Sequence, residues 1–172
     1  DAGSFYVLSI MKDGNLKNTS VLLKGDPERE YVMSLDVARS LRGTGDDCAL
    51  AVMEVGKLPK LVYLWSKNNI TADELAKEVA SRLDRFKGTI LLVIDFRGGG
   101  VNVRDELYKE FQIIEIDEPT NIEGRRLIVP FPSTPETINT AHHGLRNAFE
   151  VGNIALPSIP EEDDPEYLQV YN

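Results

Sequence analysis

Two aspartates stand in strand-like segments, where a carboxylate can do chemistry. Asp36 lies in the apolar, β-rich run Tyr31–Val37, and Asp95 ends the apolar run Thr89–Asp95. A buried carboxylate must be paired, hydrogen-bonded or bound to a metal, because isolated burial costs several kcal/mol or changes its pKa. One such aspartate alone is equally well explained as a cap on a turn. Two on strands that one sheet places side by side favour a shared metal site, and hard oxygen ligands favour Mg²⁺ or Mn²⁺.

A glycine-rich turn follows the second of these carboxylates. The segment Phe96-Arg97-Gly98-Gly99-Gly100 leads from a strand-like run into a helical pattern. It lacks both the Lys-Ser/Thr pair of a P-loop and the G-x-G-x-x-G spacing of a dinucleotide site. We expect the glycines to let the backbone turn sharply after Asp95 and to let a substrate or metal approach closely.

Other residues with reactive side chains give weaker signals. Asp46 and Asp47 lie in a turn, where aspartate is favoured for local hydrogen bonds, and their alternative role is an outer ligand beside Asp36. His142 and His143 are adjacent on a helical pattern, so their side chains point roughly 100° apart and do not chelate one metal together. We expect both histidines at the surface.

Composition limits the class of protein. A chain of 172 residues forms one domain of ordinary size, and its single cysteine, Cys48, excludes an intrachain disulfide framework and a multi-cysteine zinc site. No apolar run is long enough to span a membrane and no secretion signal is visible, which favours a reducing compartment. The net charge of −9 argues against coating nucleic acid by bulk electrostatics, but not against a nuclease with acidic metal ligands. Because the chain opens Asp-Ala-Gly-Ser rather than with Met, we expect a processed fragment.

The hydrophobic pattern of the first half predicts three strands followed by a helix. Strands are expected at residues 31–37, 48–55 and 61–65, and the turns between them predict an antiparallel meander. Thr71-Ala72-Asp73-Glu74 has the form of a capping box, which begins a helix. An apolar stripe follows at helical spacing, with charged residues outside it. The stripe comprises Leu75, Val79, Leu83 and Phe86, and the charged residues are Lys77, Glu78, Arg82 and Arg85.

The second half alternates strands and helices. The unbroken run Thr89–Asp95 is typical of a central or parallel strand that is covered on both faces. Apolar residues at helical spacing predict helices within 103–111 and 138–149, and shorter strands are expected at 112–116 and 127–131.

These elements predict a single domain, residues 1–172. Its fold class is α/β, with a sheet of mixed direction and a helix that crosses between the third and fourth strands. Residues 1–30 are expected to pack on this body, and residues 158–172 to form a solvated acidic tail.

The order of these motifs resembles a known family. The segments that carry the resemblance are Tyr31–Arg39, Gly45–Ala49, Thr71–Ala76, Val93–Gly100, Val103–Leu107 and Phe149–Pro157. Together they resemble the C-terminal nuclease domain of the large terminase subunit of tailed bacteriophages. The family pattern is a first-strand Asp, a Gly-Asp-rich turn, a helix, and a strand that ends in an acidic residue and glycines before an Asp-x-Leu helix.

The resemblance implies a ribonuclease H-like fold and a two-metal endonuclease that cuts concatemeric double-stranded viral DNA during genome packaging. By position, Asp36 would bridge two Mg²⁺ or Mn²⁺ ions, Asp95 would be the second carboxylate, and Asp47 or Asp46 would assist near the first metal. Two cations on shared carboxylates activate a water molecule and stabilise the leaving oxygen of an in-line phosphodiester displacement. A local cationic rim would contact DNA. Its candidates are Arg39, Arg42, Arg97 and Arg104.

The resemblance also implies partners and a location. Besides double-stranded DNA, these are an ATPase motor domain of the same polypeptide outside this chain, the portal protein and the small terminase subunit, with no membrane. No Walker A motif is present in the chain. The location implied is the host cytoplasm during virus assembly.

One departure from the family pattern keeps alternatives open. The family has a third acidic residue on a later helix, whereas this chain runs into Glu161-Glu162-Asp163-Asp164 and then to Asn172. The sequence is shortened there, or Asp163 or Asp164 substitutes, or the copy binds metal poorly, so no third ligand is assigned. The alternative functions are another ribonuclease H-like nuclease, such as a Holliday-junction resolvase, and a catalytically silent interaction domain of the same fold.

Overall fold

A computed structural model describes residues 22, 24–38 and 47–155, together with the backbone of three strands among the first 19 residues. The strands are β1 (Ser4–Phe5), β2 (Leu8–Lys12), β3 (Asn15–Thr19), β4 (Tyr31–Asp36), β5 (Cys48–Glu54), β6 (Lys60–Lys67), β7 (Thr89–Asp95), β8 (Ile113–Glu115) and β9 (Arg125–Phe131). The helices are α1 (Ala72–Arg85), α2 (Gly100–Phe111) and α3 (Pro135–Glu150). None of the helices in this described part is long and apolar enough to cross a membrane.

The main sheet has seven strands in the order β1-β6-β5-β4-β7-β9-β8. Strands β4, β5 and β6 form the predicted antiparallel meander, while β7 pairs parallel with both β4 and β9. Helix α1 connects β6 to β7 and so makes the predicted crossover between the third and fourth of the predicted strands. The mixed α/β fold class is therefore confirmed.

One face of the sheet packs against α1 and α2. Met33 and Leu35 of β4 and Leu92 and Ile94 of β7 are buried in the core with the apolar stripe of α1. Phe86, just after α1, meets the ring of Tyr31 edge-on at 5.2 Å. Since full burial of such a side chain contributes about 1.5–3 kcal/mol, this face supplies much of the stability that fixes the strand ends.

The start of α1 forms as predicted, but one of its charged residues does not lie at the surface. Thr71 and Glu74 form the reciprocal capping box. Arg82, which the pattern places outside the apolar stripe, is only 7% exposed. Its stem packs in the core, its Nε donates to the Tyr63 hydroxyl at 2.7 Å, and its Nη2 lies 3.0 Å from the Glu78 carboxylate. Burial is tolerated because the guanidinium keeps polar partners.

Helix α3 carries the predicted apolar stripe but no buried residue. Leu145 and Phe149 are 47% and 46% exposed. The helix leaves the end of β9, and the chain then returns to the sheet at Ala155, which bridges Lys60 at the start of β6.

The first strands add features that the sequence pattern does not show. Strand β1 pairs with β6 at the sheet edge, and β2 pairs with β3 as a separate antiparallel hairpin. The expected acidic tail, residues 158–172, lies outside the described residues.

Candidate metal and nucleic-acid site

Asp36 and Asp95 are the last residues of two adjacent parallel strands. Leu35 of β4 is in register with Ile94 of β7, so the two aspartates occupy the next position along both strands. Neighbouring strands lie about 4.8 Å apart, and residues in register point to the same face. Because Leu35 and Ile94 face the helices, both aspartates point to the opposite face, here called the open face. The expectation that the two residues lie on adjacent central strands is confirmed.

The burial of this pair differs from the expectation for a carboxylate inside an apolar strand. Asp36 is exposed and Asp95 is partly exposed. The desolvation argument for Asp36 is therefore wrong. The strand ends at this residue, and on the open face neither Ser34 nor Asp36 is buried.

The charges of the pair are not neutralised within the described residues. No arginine or lysine there forms an ion pair with Asp36 or Asp95. Two adjacent carboxylates without a cationic side chain repel each other, and a bound divalent cation relieves that repulsion. Partly exposed carboxylate oxygens also suit the ligand preference and residual hydration of Mg²⁺. The pair therefore fits a divalent cation.

The turn that follows Asp95 orders its carboxylate. Oδ1 of Asp95 accepts a hydrogen bond from the backbone N–H of Arg97 at 2.9 Å. Gly98 has φ of 65°, in the left-handed region that glycine adopts readily. The expectation of a sharp turn made by glycines is confirmed.

The neighbours of the pair form a row of registered residues across the open face. Asp36 is opposite Ala49, and Ala49 is opposite Ser66. On the other side, Asp95 is in register with Phe131, which is partly exposed. Small side chains thus flank Asp36 and an aromatic ring flanks Asp95. No sequence pattern indicates Phe131, because its position beside Asp95 depends on the register of β7 and β9.

A second residue without a sequence signal lies just beyond the end of β9. Ser133 is buried, and its hydroxyl has no hydrogen-bond partner among the described residues. It follows Phe131 by two residues and so belongs to the same end of the sheet. An isolated serine in a Pro-Ser-Thr-Pro segment gives no sequence signal beyond that of a turn.

Asp47 directly precedes β5 and is exposed. Within the described part of the chain, no three His, Cys, Asp or Glu side chains form a cluster that could hold a metal. Burial raises the pKa of the Cys48 thiol, and the carboxylates of Asp36 and Asp47 raise it further. A hydrogen bond from the Ala38 N–H opposes that rise.

The four arginines expected to form a cationic rim have different surroundings. The guanidinium of Arg104 lies 2.7 Å from Asp105 and 3.1 Å from Glu115, and it stacks over Phe96. Arg97 is exposed and forms no ion pair within the described residues. Arg39, Arg42 and Asp46 lie outside the described residues, as do Asp163 and Asp164. The predicted surface position of His142 and His143 is confirmed.

The solved structures with the same fold include large terminase nucleases of phages. The nuclease from thermophilic phage G20c matches with a TM-score of 0.63 and 16% identity over 95% of this chain and 73% of that chain. Its magnesium-bound form matches with a TM-score of 0.62 and 17% identity over 88% and 69%. The nuclease domain of Thermus phage P74-26 matches with a TM-score of 0.55 and 14% identity over 87% and 65%. No family model matches the chain, and no curated protein is significantly similar in sequence.

These similarities show the fold. The ribonuclease H-like architecture that the sequence resemblance implied is confirmed, with its mixed sheet and flanking helices. The G20c nuclease also has structures with bound cobalt and with bound zinc. Divalent cations are thus bound in solved structures that share this fold.

Proposed function

We propose that the chain is the metal-dependent endonuclease domain of a viral DNA-packaging terminase. The observation that carries the proposal is the pair Asp36 and Asp95, two carboxylates in register on adjacent parallel strands, without a cationic partner in the described residues. It is supported by a fold shared with terminase nucleases, one of which binds magnesium. Its substrate would be concatemeric double-stranded DNA.

The residues of this chain would divide the work of phosphodiester hydrolysis. Asp36 would be the carboxylate shared between two Mg²⁺ or Mn²⁺ ions, Asp95 would bind through the oxygen that Arg97 leaves free, and Asp47 or Asp46 would add charge near the first ion. Two cations held in this way would supply an activated water molecule and stabilise the leaving oxygen. The exposed guanidinium of Arg97 would bind a phosphate near the aspartates.

The open face also suits an extended substrate. Ala49 and Ser66 leave room on one side of Asp36, and Phe131 offers an apolar wall on the other side of Asp95. A DNA backbone lying along this row would place one phosphate at the carboxylate pair. Arg39 and Arg42 complete the cationic rim in this proposal, whereas the charge of Arg104 is already paired with Asp105 and Glu115 and adds little to it.

The wider assembly is part of the same proposal. The domain would act with an ATPase motor domain of the same polypeptide, with the portal protein and with the small terminase subunit. It would do so in the host cytoplasm during virus assembly, without a membrane. A Holliday-junction resolvase would use the same carboxylates on a branched substrate.

A catalytically silent interaction domain is the second candidate, and one observation favours it. The described residues contain two adjacent carboxylates but no cluster of three metal ligands. A hard cation with few protein oxygens keeps more of its water and binds weakly. The net charge of −9 also disfavours strong binding to DNA.

Digestion of supercoiled plasmid in Mn²⁺ tests the proposal. We expect the wild-type chain to nick and linearise the plasmid slowly, and Asp36→Asn and Asp95→Asn to abolish cleavage. Asp84→Asn is the matched control, because Asp84 is an exposed aspartate on α1, the helix that packs on the opposite face. Cleavage that survives Asp36→Asn contradicts the proposed site, and a wild type without cleavage favours the silent domain. Preferential cutting of a four-way junction over linear duplex identifies the resolvase.

A further inference from the structure

The first residue of α2 lies against the backbone of Asp95. A Cβ atom built on Gly100 would overlap the carbonyl oxygen of Asp95 and stand 2.9 Å from its carbonyl carbon. Real Cβ atoms essentially never approach other heavy atoms closer than 3.0 Å. Only glycine at position 100 therefore lets α2 begin where it does.

This close approach belongs to a short turn that also holds the carboxylate. The N–H of Arg97 donates to Oδ1 of Asp95 at 2.9 Å, and the N–H of Gly100 donates to the carbonyl oxygen of Arg97 at 3.4 Å. Gly98 supplies the left-handed φ of 65° between them. One carboxylate oxygen is thus tied to the turn, and Oδ2 is left for a ligand.

The position of Gly100 has a consequence for that hydrogen bond. A side chain at Gly100 pushes the start of α2 away from Asp95, and Arg97 lies between the two residues in the same turn. The distance from its N–H to Oδ1 therefore depends on how closely Gly100 packs. Hydrogen bonds that orient a metal-binding carboxylate raise metal affinity by fixing the ligand before the ion arrives.

We propose that Gly100 is the positioning residue of Asp95: its missing side chain lets α2 close the turn that aims the Asp95 carboxylate at the divalent cation shared with Asp36. The proposal rests on the proposed metal-dependent function. In this role Gly100 touches neither the substrate nor the metal and acts only through the position of Asp95.

Gly88 provides a matched control at the other end of the same strand. A Cβ atom on Gly88 would overlap the carbonyl oxygen of Arg29 and stand 3.1 Å from its carbonyl carbon. Gly88 precedes β7, whereas Gly100 follows it. Gly88→Ala and Gly100→Ala therefore create similar steric overlap with backbone, and only the second touches the turn after Asp95.

The experiment compares three proteins by thermal unfolding, by hydrogen exchange of the Arg97 amide without metal, and by calorimetric Mn²⁺ titration. We expect both alanine variants to lose stability, but only Gly100→Ala to expose the Arg97 amide to faster exchange. Its Mn²⁺ affinity should fall about 10- to 100-fold, as is typical when a partner that orients a ligand is lost. Gly88→Ala should keep the wild-type exchange rate and Mn²⁺ affinity.

A milder pair of variants serves if Gly100→Ala does not fold. Gly98→Ala strains the same turn, while Gly98→Asn is tolerated because asparagine enters the left-handed region more readily. We expect Gly98→Ala to weaken Mn²⁺ binding and to speed Arg97 exchange, and Gly98→Asn to restore both.

Two results overturn the positioning role. One is wild-type Arg97 exchange in a folded Gly100→Ala or in Gly98→Ala. The other is an equal loss of Mn²⁺ affinity in Gly88→Ala and Gly100→Ala, which reports general destabilisation. A wild-type chain that binds no Mn²⁺ contradicts the proposed function instead, and the Arg97 exchange rates still decide whether Gly100 closes the turn.

Discussion

Arg97 and Arg104, two arginines near the glycine turn, should show different effects when each loses its charge: one in DNA binding and the other in folding stability. Arg104 contacts Asp105 and Glu115 and stacks over Phe96, whereas Arg97 is exposed without an ion pair in the described residues. We therefore expect Arg104→Gln to cost stability and Arg97→Gln to weaken DNA binding. Both substitutions remove one positive charge, so each is the control for the other.

The structure sets the size of the stability effect. Each of the two ion pairs of Arg104 is partly exposed and contributes about 0.2–1 kcal/mol. The contact of its guanidinium with the ring of Phe96, at 5.3 Å, adds about 0.5–1 kcal/mol. The loss for Arg104→Gln is thus about 1–3 kcal/mol, and a domain of this size loses about 2–4 °C in Tm for each kcal/mol. Arg97→Gln should stay within about 0.5 kcal/mol of the wild type.

The binding effect is measured as the salt dependence of duplex affinity, by fluorescence anisotropy in the cleavage-deficient Asp36→Asn background. Each phosphate neutralised by a cationic side chain contributes about −0.9 to the slope of log K against log[salt]. Arg97→Gln should make the slope shallower by about 0.9, the value of one phosphate contact. Arg104→Gln should leave the slope unchanged, because the charge of Arg104 is already paired with carboxylates. An equal loss of slope in Arg104→Gln shows that its ion pairs open to meet DNA. That result, or an unchanged Tm in Arg104→Gln, contradicts a structural role for Arg104 and a DNA-binding role confined to Arg97.

Three further substitutions test electrostatics elsewhere. Without metal, Asp36→Asn should keep or raise Tm, because it relieves repulsion from Asp95; a lower Tm with cleavage retained would make Asp36 structural. The hydrogen bond from the Thr71 N–H lowers the pKa of the Glu74 carboxyl in the folded protein. The ionised carboxylate therefore contributes fully to folding stability above the unfolded pKa of about 4.3, and this contribution is lost as pH falls through the lower pKa of the folded state. Glu74→Gln should flatten the acid limb of a pH–stability curve, and an unchanged limb contradicts this role. Burial raises the pKa of the Tyr31 phenol in the folded protein. The neutral phenol therefore contributes fully to folding stability below the unfolded pKa of about 10, and this contribution is lost as pH rises through the higher pKa of the folded state. Tyr31→Phe should flatten the alkaline limb of the pH–stability curve measured by urea unfolding.

Local patterns predict those parts of the fold that local physics decides. The bounds of β7 match the apolar run Thr89–Asp95, and the strand is central as predicted. The expected cover on both faces is wrong, because Ile90 is 42% exposed on the side that none of the described helices covers. The start of α1 is equally local, since Thr71 and Glu74 satisfy each other's backbone N–H groups. The bounds of β7 and the start of α1 match the prediction because tertiary packing does not favour a different local structure at these residues.

Burial and cross-strand neighbours depend on tertiary structure and are predicted less well. Asp36 lies in an apolar run, yet it is exposed because the strand ends there and the helices cover the other face. Arg82 is charged, yet it is buried because Tyr63 offers a hydroxyl within the core. The apolar stripe of α3 marks the helix correctly but does not predict burial for Phe149, whose contacts depend on where the helix lies.

The candidate site shows the same division. The residue types and strand ends of Asp36 and Asp95 are visible in the sequence, and their adjacency follows from a parallel pairing that the sheet supplies. The neighbour Phe131 and the steric demand for Gly100 follow only from the register of β9 and the path of α2. Sequence patterns identify the charged groups of such a site before they identify the residues that orient them.

A crystal structure of the chain grown with Mn²⁺ shows, through the anomalous scattering of the ion, whether Asp36 and Asp95 together hold a divalent cation. We expect an anomalous peak bound by carboxylate oxygens of both Asp36 and Asp95 on the open face, with Oδ1 of Asp95 still accepting a hydrogen bond from the Arg97 N–H. A peak elsewhere, or none at this pair under saturating Mn²⁺, contradicts the claim that the two aspartates form a divalent-cation centre.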